Sequence, residues 1–325
     1  MIIAYCCAFL AAFFWGAGFI GSRFGLEAMG PMWVCFFRFF VAFIATSPIL
    51  FLNRQVSFSS RELKAVGVCS FCLAAMMFLQ IKGLQYTTVA KSGFITILYA
   101  FMTPILANAF FKKKVSLYYC MMAIIAFGGV CLLMELDFRN FNYGDALTLG
   151  CAFFSALHIL SVGHFSDVFR SSGVFNVLQM LGVCALTLPL AFILEGAGPI
   201  QDFMMGAVSD QAFWGLLFMG VFSTALAFFL QMRSQKFIEP HIVALVFLME
   251  SPLGAAMGWF VLDEGIGFKG LIGCTITLFA VAMIALEKPF QEVIANVLGK
   301  HEQRTKRQTE RRSRSGLVGN AGRSL

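Results

Sequence analysis

Residues 240–262 read PHIVALVFLMESPLGAAMGWFVL, and this stretch decides the fold class because its 23 residues carry a single formal charge, Glu250. About 20 apolar residues in an α-helix cover the hydrocarbon core of a bilayer. The whole chain has the same character, with 59% hydrophobic and 13% charged residues, whereas soluble domains carry about 25% charged residues. The sequence therefore predicts an all-α integral membrane protein and excludes most soluble enzyme folds.

Ten apolar stretches of this kind, bounded by charges or by proline and glycine, predict ten transmembrane helices. They cover residues 3–24, 32–52, 65–84, 88–111, 115–134, 144–165, 174–194, 212–232, 240–262 and 269–286. The first stretch lacks a basic segment before it and leads directly into further spans, so we expect it to be retained rather than cleaved as a signal peptide. All connections are short, so we expect the function to reside among the helices.

The distribution of Lys and Arg predicts the orientation in the membrane. With the N-terminus inside, the cytoplasmic connections hold nine Lys and Arg residues and the opposite connections hold four. Cytoplasmic loops are enriched in these residues, so both termini are predicted to be cytoplasmic. Residues 287–325 add nine Lys and Arg against four Glu, which predicts a disordered basic tail near anionic lipid headgroups rather than a nucleic-acid-binding segment.

The ten cysteines all fall inside apolar stretches, where they are expected to act as small hydrophobic residues. Cys69 and Cys72 have a C-x-x-C spacing, but no second pair or histidine cluster completes a zinc or redox site. The sequence therefore predicts no metal and no cofactor.

Weak internal similarity predicts two repeats. Pro104 aligns with Pro252 at an offset of 148, residues 12–14 (AFF) match residues 152–154 (AFF) at 140, and Arg38 falls opposite Gln179 at 141. Five spans are an odd number of crossings, so the second repeat enters the membrane with inverted orientation. We expect a first repeat at 1–134, a linker at 135–143, a second repeat at 144–286 and the tail at 287–325. Inverted repeats with a site at their interface are a recurring transporter plan.

Several positions resemble the EamA-type repeat of the drug/metabolite transporter superfamily. They are Trp15, Gly16, Ser22, Pro31, Arg38, residues 83–87 and Pro104 in the first half, and Glu250, Ser251, Pro252, Asp263, Glu264 and Gly273 in the second. The resemblance covers roughly residues 5–286 and implies ten helices, cytoplasmic termini and transport of small metabolites such as amino acids. Residues 112–114 (KKK) depart from it, because the family often has an acidic residue there. Residues 144–147 and 156–159 resemble the branch that contains S-adenosylmethionine transporters of intracellular bacteria, and this resemblance implies a bacterial inner membrane.

Ionisable residues at bilayer depth are candidates for function, because burying them in lipid costs several kcal/mol. Glu250 is the deepest acid and could bind a cationic group or carry a proton, or form a helix–helix hydrogen bond. Lys91 could pair with a substrate carboxylate or with an acid elsewhere in the protein, and it could also snorkel to the interface. Arg38 could contact substrate or tie helices together.

The remaining candidate residues are polar or aromatic. His158 could contact substrate or be a satisfied core residue, with Gln80, Gln179 and Gln231 as polar partners. Trp15 and Tyr99 could stack on a planar or cationic group, or simply pack. Asp145 is expected to cap a helix N-terminus, and Asp263 and Glu264 could gate or form a solvated turn. The predicted substrate-binding set is Glu250, Lys91, Trp15, Arg38, His158, Tyr99 and Gln80.

Together these features predict a secondary transporter that moves a small polar metabolite by alternating access. The substrate is expected to be an amino acid or a derivative, and the resemblance suggests S-adenosylmethionine in exchange for S-adenosylhomocysteine. A sugar-phosphate or nucleotide-sugar carrier and an intramembrane enzyme stay open as alternatives. The sequence lacks the H-E-x-x-H, G-x-S-x-G and P-loop motifs, so we expect no enzymatic activity. Expected partners are the small-molecule substrate and membrane lipid, and a homodimer is left open.

Overall fold

The computed structural model describes residues 2–52, 59–112, 115–134, 141–169, 171–206, 208–262 and 267–286, and within these ranges every regular element is a helix. This confirms the all-α prediction for the part of the chain that the structure describes. The chain divides into one unit of residues 1–281 and a second of residues 282–325, of which only 282–286 are described.

The helices follow one another with short connections. They are α1 (Ile2–Ala28), α2 (Pro31–Thr46), α3 (Pro48–Leu52), α4 (Ser60–Leu84), α5 (Val89–Thr96), α6 (Tyr99–Phe111), α7 (Leu117–Met134), α8 (Tyr143–His164), α9 (Ser172–Glu195), α10 (Gly198–Met204), α11 (Asp210–Phe218), a π-helical segment (Met219–Leu226), α12 (Ala227–Gln235), α13 (Pro240–Val246), a 3-10 turn (Phe247–Met249), α14 (Glu250–Leu262) and α15 (Phe268–Leu286).

Eight helical stretches in the described ranges are long and apolar enough to cross a membrane. They are Pro31–Leu52, Ser60–Leu84, Lys91–Phe110, Tyr143–His164, Ser172–Glu195, Asp210–Gln235, Pro240–Met257 and Phe268–Leu286. Two shorter apolar stretches, Ile2–Gly18 and Leu117–Leu133, coincide with the predicted first and fifth spans. Each of the ten predicted spans therefore has a helical counterpart, while the number of actual crossings stays a prediction.

Two of the spans change from α-helix to a tighter turn at matching places, here called helix breaks, although the backbone stays helical through both. Helix α5 begins at Val89 and α13 at Pro240, and after each break α6 begins at Tyr99 and α14 at Glu250. Pro240 lies 151 positions after Val89, and Glu250 lies 151 positions after Tyr99.

The prolines near these breaks do not occupy equivalent positions, although the sequence comparison aligned them at an offset of 148. Pro252 is the third residue of α14, in the first turn, where a missing N–H costs no helical hydrogen bond. Pro104 is the sixth residue of α6 and deprives the Ala100 carbonyl of its helical donor. The Tyr119 hydroxyl replaces that donor, lying 3.1 Å from the Ala100 carbonyl and 2.8 Å from that of His241.

The strongest helix pairings join the two predicted halves. Helix α4 packs along α8, α2 along α9, and α1 against α11, α12 and α14. Small residues allow the closest approaches: a Cβ atom added to Gly16 would lie 2.8 Å from the Glu250 carbonyl oxygen and 2.9 Å from the Gly254 nitrogen. The space between the halves is therefore bounded by α1, α2, α4, α8, α12 and α14.

Candidate functional site

A cavity of about 60 Å³ lies between the halves. At about 10–15 Å³ per water, it has room for roughly five water molecules. Its walls come from α1, α2, α4, α5, α6, α8, the π-helical segment, α12, the 3-10 turn and α14. The cavity therefore lies at both helix breaks and beside the irregular segment of the eighth predicted span.

Six of the residues predicted to bind substrate line this cavity: Glu250, Trp15, Arg38, His158, Tyr99 and Gln80. Lys91 is not among the residues that line it and instead forms an ion pair with Asp145. Asp263 and Glu264, the predicted gating residues, lie outside the described residues. That any of these side chains contacts a substrate stays a prediction.

Glu250 occupies the helix break itself. It is the first residue of α14, directly after the 3-10 turn, and its side chain is partly accessible inside the cavity. Among the described residues, no protein group donates a hydrogen bond to its carboxylate. The carboxylate and the Arg38 guanidinium attract one another electrostatically, but no contact within ion-pair distance joins them among those residues. The carboxylate can therefore accept donors from a ligand.

Arg38 is anchored by the π-helical segment. Its Nε donates to Thr224 Oγ1 at 2.6 Å, and its Nη2 donates to the carbonyl and hydroxyl oxygens of Ser223, both at 3.2 Å. A π-helix has no regular i→i+4 pairing and commonly occurs at functional sites. The Nη1 atom has no hydrogen-bond partner among the described residues. Arg38 therefore brings a fixed positive charge with one unused donor group to the cavity wall.

Three buried polar atoms of the cavity have no partner among the described residues: Trp15 Nε1, the Tyr99 hydroxyl and Gln231 Oε1. Leaving a buried donor or acceptor unsatisfied costs about 1–3 kcal/mol. The Trp15 ring is itself held between Phe228, at 5.2 Å between ring centroids, and Phe247, at 4.7 Å. The site thus combines a rigid aromatic wall with donors and an acceptor that a polar ligand can satisfy.

His158 and Gln80 are partly satisfied by the protein. His158 Nε2 lies 3.2 Å from Gln179 Oε1, and its ring packs edge-on against Phe228. Gln80 Nε2 donates to Thr96 Oγ1 at 3.3 Å. Both side chains nevertheless reach the cavity, so both alternatives that the sequence left open for His158 are compatible with its position.

Several lining residues are absent from the predicted substrate-binding set, including Ser223, Ser155 and Gln231, of which Gln231 is predicted only as a polar partner of His158. The internal repeat contains the signal that finds two of them. Gln231 lies 151 positions after Gln80, as Glu250 lies 151 after Tyr99, and Ser155 lies 140 after Trp15. The offset of 140 that aligns residues 12–14 with 152–154 also aligns Trp15 with Ser155, whereas the offset of 148 at Pro104 does not align Gln80 with Gln231.

Lys91 and Asp145 form a polar cluster away from the cavity. Lys91 Nζ lies 2.5 Å from Asp145 Oδ2, and the Thr87 hydroxyl donates to Asp145 Oδ1 at 2.7 Å. The Asn142 backbone N–H also donates to Asp145 at 2.8 Å, in the reciprocal cap of α8. Asp145 caps its helix as the sequence suggested, and Lys91 has the partner acid that was one of its predicted alternatives.

The comparisons with known proteins agree with this architecture. The model of the EamA-like transporter family matches two segments of the chain, residues 2–135 and 142–286. The chain belongs to this family. The resemblance noted in the sequence is thereby confirmed at the level of the family, whereas the S-adenosylmethionine branch stays a prediction. The protein is a multi-pass membrane protein of a transporter family.

Individual relatives extend over most of the chain. An uncharacterized transporter of Archaeoglobus fulgidus is 26% identical over 282 residues, covering 85% of this chain and 84% of its own. The uncharacterized transporter YoaV of Bacillus subtilis is 20% identical over 274 residues, covering 83% of this chain and 92% of its own. A crystal structure of a protein superposes with a TM-score of 0.71 and 14% identity, covering 87% of this chain and 96% of its own. At that identity, the superposition shows a shared fold alone.

Proposed function

We propose that this protein is a secondary transporter that moves a small polar metabolite by alternating access, with the cavity as its substrate site. The observation that carries the proposal is Glu250, a carboxylate at a helix break that no described residue hydrogen-bonds. Discontinuous helices near the bilayer midplane form substrate sites in many transporters. A carboxylate kept there is costly unless it has a functional partner.

The charges of the site favour a substrate that carries both signs. Glu250 and Arg38 line the same cavity, so a zwitterion can place its cation near one and its anion near the other without adding net charge. The unsatisfied Trp15 N–H and Tyr99 hydroxyl are available to further polar groups. We therefore propose an amino acid or a derivative. The specific candidate from the resemblance is S-adenosylmethionine in exchange for S-adenosylhomocysteine; the latter is a zwitterion of this kind, and the former carries one further positive charge on its sulfonium.

A phosphorylated substrate is less well supported. Arg38, the cationic side chain that lines the cavity among the described residues, already donates to Thr224 and Ser223. Glu250 would repel a doubly charged phosphate in the same small space. The sugar-phosphate alternative would require a further cation that the described cavity wall does not contain.

The internal repeat supports alternating access. Three observations are expected if the halves are related. The family model matches two segments, helices of the two halves start 151 residues apart, and helices of one half pair with helices of the other. If the halves are inverted repeats, exchange of their conformations opens the cavity to one side and then to the other. The Lys and Arg distribution places both termini in the cytoplasm under this proposal.

Uptake measurements in a bacterial host would test the proposal. Cells expressing the chain would be given labelled amino acids, S-adenosylmethionine and nucleotide-like metabolites, and then chased with excess unlabelled compound. The proposal predicts saturable uptake of a zwitterionic compound and faster efflux when unlabelled compound is outside. If no compound moves despite correctly inserted protein, the zwitterion assignment is wrong, and product formation by purified protein would then support the enzyme alternative.

The variant Glu250→Gln tests the site directly. We expect it to lower uptake at least about tenfold, since the loss of a charged partner in a low-dielectric site costs more than about 1.4 kcal/mol. Glu27→Gln is the matched control. Glu27 is exposed on α1, so this variant should transport normally. Equal uptake by both variants, at equal amounts in the membrane, would remove Glu250 from the proposal.

A further inference from the structure

The ion pair of Lys91 and Asp145 connects the two halves at one end of α5. Lys91 belongs to the first half, and Asp145 lies in the first turn of α8, in the second half. The Asp145 side chain is fully buried and that of Lys91 is 14% exposed. The Thr87 hydroxyl, also from the first half, holds the second carboxylate oxygen. Three residues thus join the start of α5 to the start of α8.

The contact between α5 and α8, here called the α5–α8 seam, continues from the ion pair towards the cavity. Ser92 and Thr148 are buried and their hydroxyl oxygens lie 3.3 Å apart. A Cβ atom on Gly83 would lie 2.7 Å from Thr148 Oγ1, so α4 also presses on α8 here. Thr96, five residues after Lys91, lines the cavity. Along α5, the Ser92–Thr148 contact therefore lies between the ion pair and the cavity.

The equivalent positions at the other end of the protein cannot form this pair. Counting 151 residues on, the positions that match Lys91 and Ser92 hold Ile242 and Val243. Counting 140 residues back from Asp145 gives Tyr5. The two sets of positions are therefore chemically different, and the Lys–Asp pair belongs to the start of α5 alone.

We propose that Lys91 and Asp145, here called the α5–α8 latch, hold this end of the carrier shut and separate when the cavity opens there. This inference rests on the proposed transport function. In it, Lys91 and Asp145 are positioning residues that set the balance between the two conformations and do not contact the substrate. Breaking the latch shifts the population towards the state open at the α5–α8 end and away from the state open at the opposite end.

Two buried serines can report which end is open. Ser92 lies between α5 and α8 beside the ion pair, and Ser234 of α12 lies 151 positions after Gly83, which an inverted repeat would put at the opposite end. Both are completely buried, so Ser92→Cys and Ser234→Cys should react with a membrane-impermeant maleimide only when their own end opens. The background would carry Cys6→Ser and Cys120→Ser, because those native thiols are exposed.

The experiment compares the labelling rates of the two reporters in membrane vesicles of both orientations. Lys91→Met should raise the labelling of Ser92→Cys roughly fivefold and lower that of Ser234→Cys. Asp145→Asn, which keeps a polar group for Thr87 and the helix cap, should act in the same direction. Lys82→Met is the control, because Lys82 donates to Gln85 within its own half and should change neither rate.

The charge-reversed pair Lys91→Asp with Asp145→Lys restores opposite charges but cannot accept from Thr87 or from the Asn142 N–H, so it should recover only part of the original rates. An unchanged rate at Ser92→Cys in the single variants would overturn the latch, and so would equal acceleration at both reporters, which indicates general loosening. The readout does not require a known substrate. If the reporters shift as expected while no compound is transported, the latch stands and the proposed transport function fails.

Discussion

At the scale of single residues, the cavity contains polar atoms that the folded protein leaves unsatisfied. Trp15 Nε1, the Tyr99 hydroxyl and Gln231 Oε1 are all buried there without a partner among the described residues. Such atoms destabilise the empty protein. Binding sites commonly retain groups of this kind at a cost in stability. Stability and transport should therefore respond in opposite directions to their removal.

Tyr99→Phe tests this trade-off with an almost isosteric change. It removes a buried hydroxyl that has no partner among the described residues, so we expect the free energy of unfolding in detergent to rise by about 1 kcal/mol while uptake falls. Tyr119→Phe is the contrasting variant, because the Tyr119 hydroxyl donates to backbone carbonyls that include Ala100. The free energy of unfolding of Tyr119→Phe should fall by about 1 kcal/mol, and its substrate affinity should not change. If both variants lose stability equally, Tyr99 is satisfied in the native protein.

At the scale of helices, the site depends on irregular backbone held by close packing. The break before Glu250 and the π-helical segment present polar groups to the cavity. Asn176 Nδ2 donates to the Ala225 carbonyl at 2.9 Å, so side chains satisfy backbone groups that the π-helix leaves exposed. Gly16 allows α1 to approach the backbone of Glu250 and Gly254. This approach keeps Trp15 and Glu250 on the same wall.

Gly16→Ala should therefore destabilise the protein. The added Cβ would meet backbone atoms at 2.8 and 2.9 Å, and backbone cannot move aside as cheaply as a flexible side chain. We expect a loss of about 1–3 kcal/mol, measured as a lower melting temperature in detergent, together with reduced uptake. Gly67→Ala in α4 is the control: an added Cβ there has no neighbour within 4 Å, so stability should hold or rise slightly. An unchanged melting temperature in Gly16→Ala would contradict the close contact between α1 and α14.

Hydropathy and the rarity of charges were sufficient to predict the helices and much of the site. A charge within an apolar stretch is conspicuous in sequence, which is why Glu250 and Arg38 could be singled out. Their partners could not be predicted, because the bonds from Arg38 to Ser223 and Thr224 depend on a π-helix that no local pattern signals. The sequence also indicated that Lys91 lies within a span. Its pairing with Asp145 could not be predicted, because the two residues meet only in the folded protein.

At the scale of the whole molecule, alternating access of the proposed kind requires the two segments to be inverted relative to one another. Tyr86 and Phe237 are 151 residues apart and are both exposed, at 50% and 66%. Each lies between a long helix and the first part of a broken span. In an inverted repeat, equivalent connections lie on opposite faces of the membrane.

Impermeant thiol labelling of Tyr86→Cys and Phe237→Cys tests that arrangement. With Cys6 and Cys120 replaced by serine, we expect Tyr86→Cys to react in intact cells and Phe237→Cys to react only after the membrane is opened. The chain with serine at both native positions and no added cysteine supplies the background. Reaction of both positions from one face would rule out the inverted repeat.

The most direct test of the cavity as a substrate site is counterflow in proteoliposomes. Vesicles loaded with the unlabelled compound that cells take up would receive a trace of the same compound, labelled, outside. We predict transient accumulation of label with the native protein and with Glu27→Gln, and none with Glu250→Gln at equal incorporation. Undiminished accumulation by Glu250→Gln would contradict the account, because the cavity would then not be where the substrate is held.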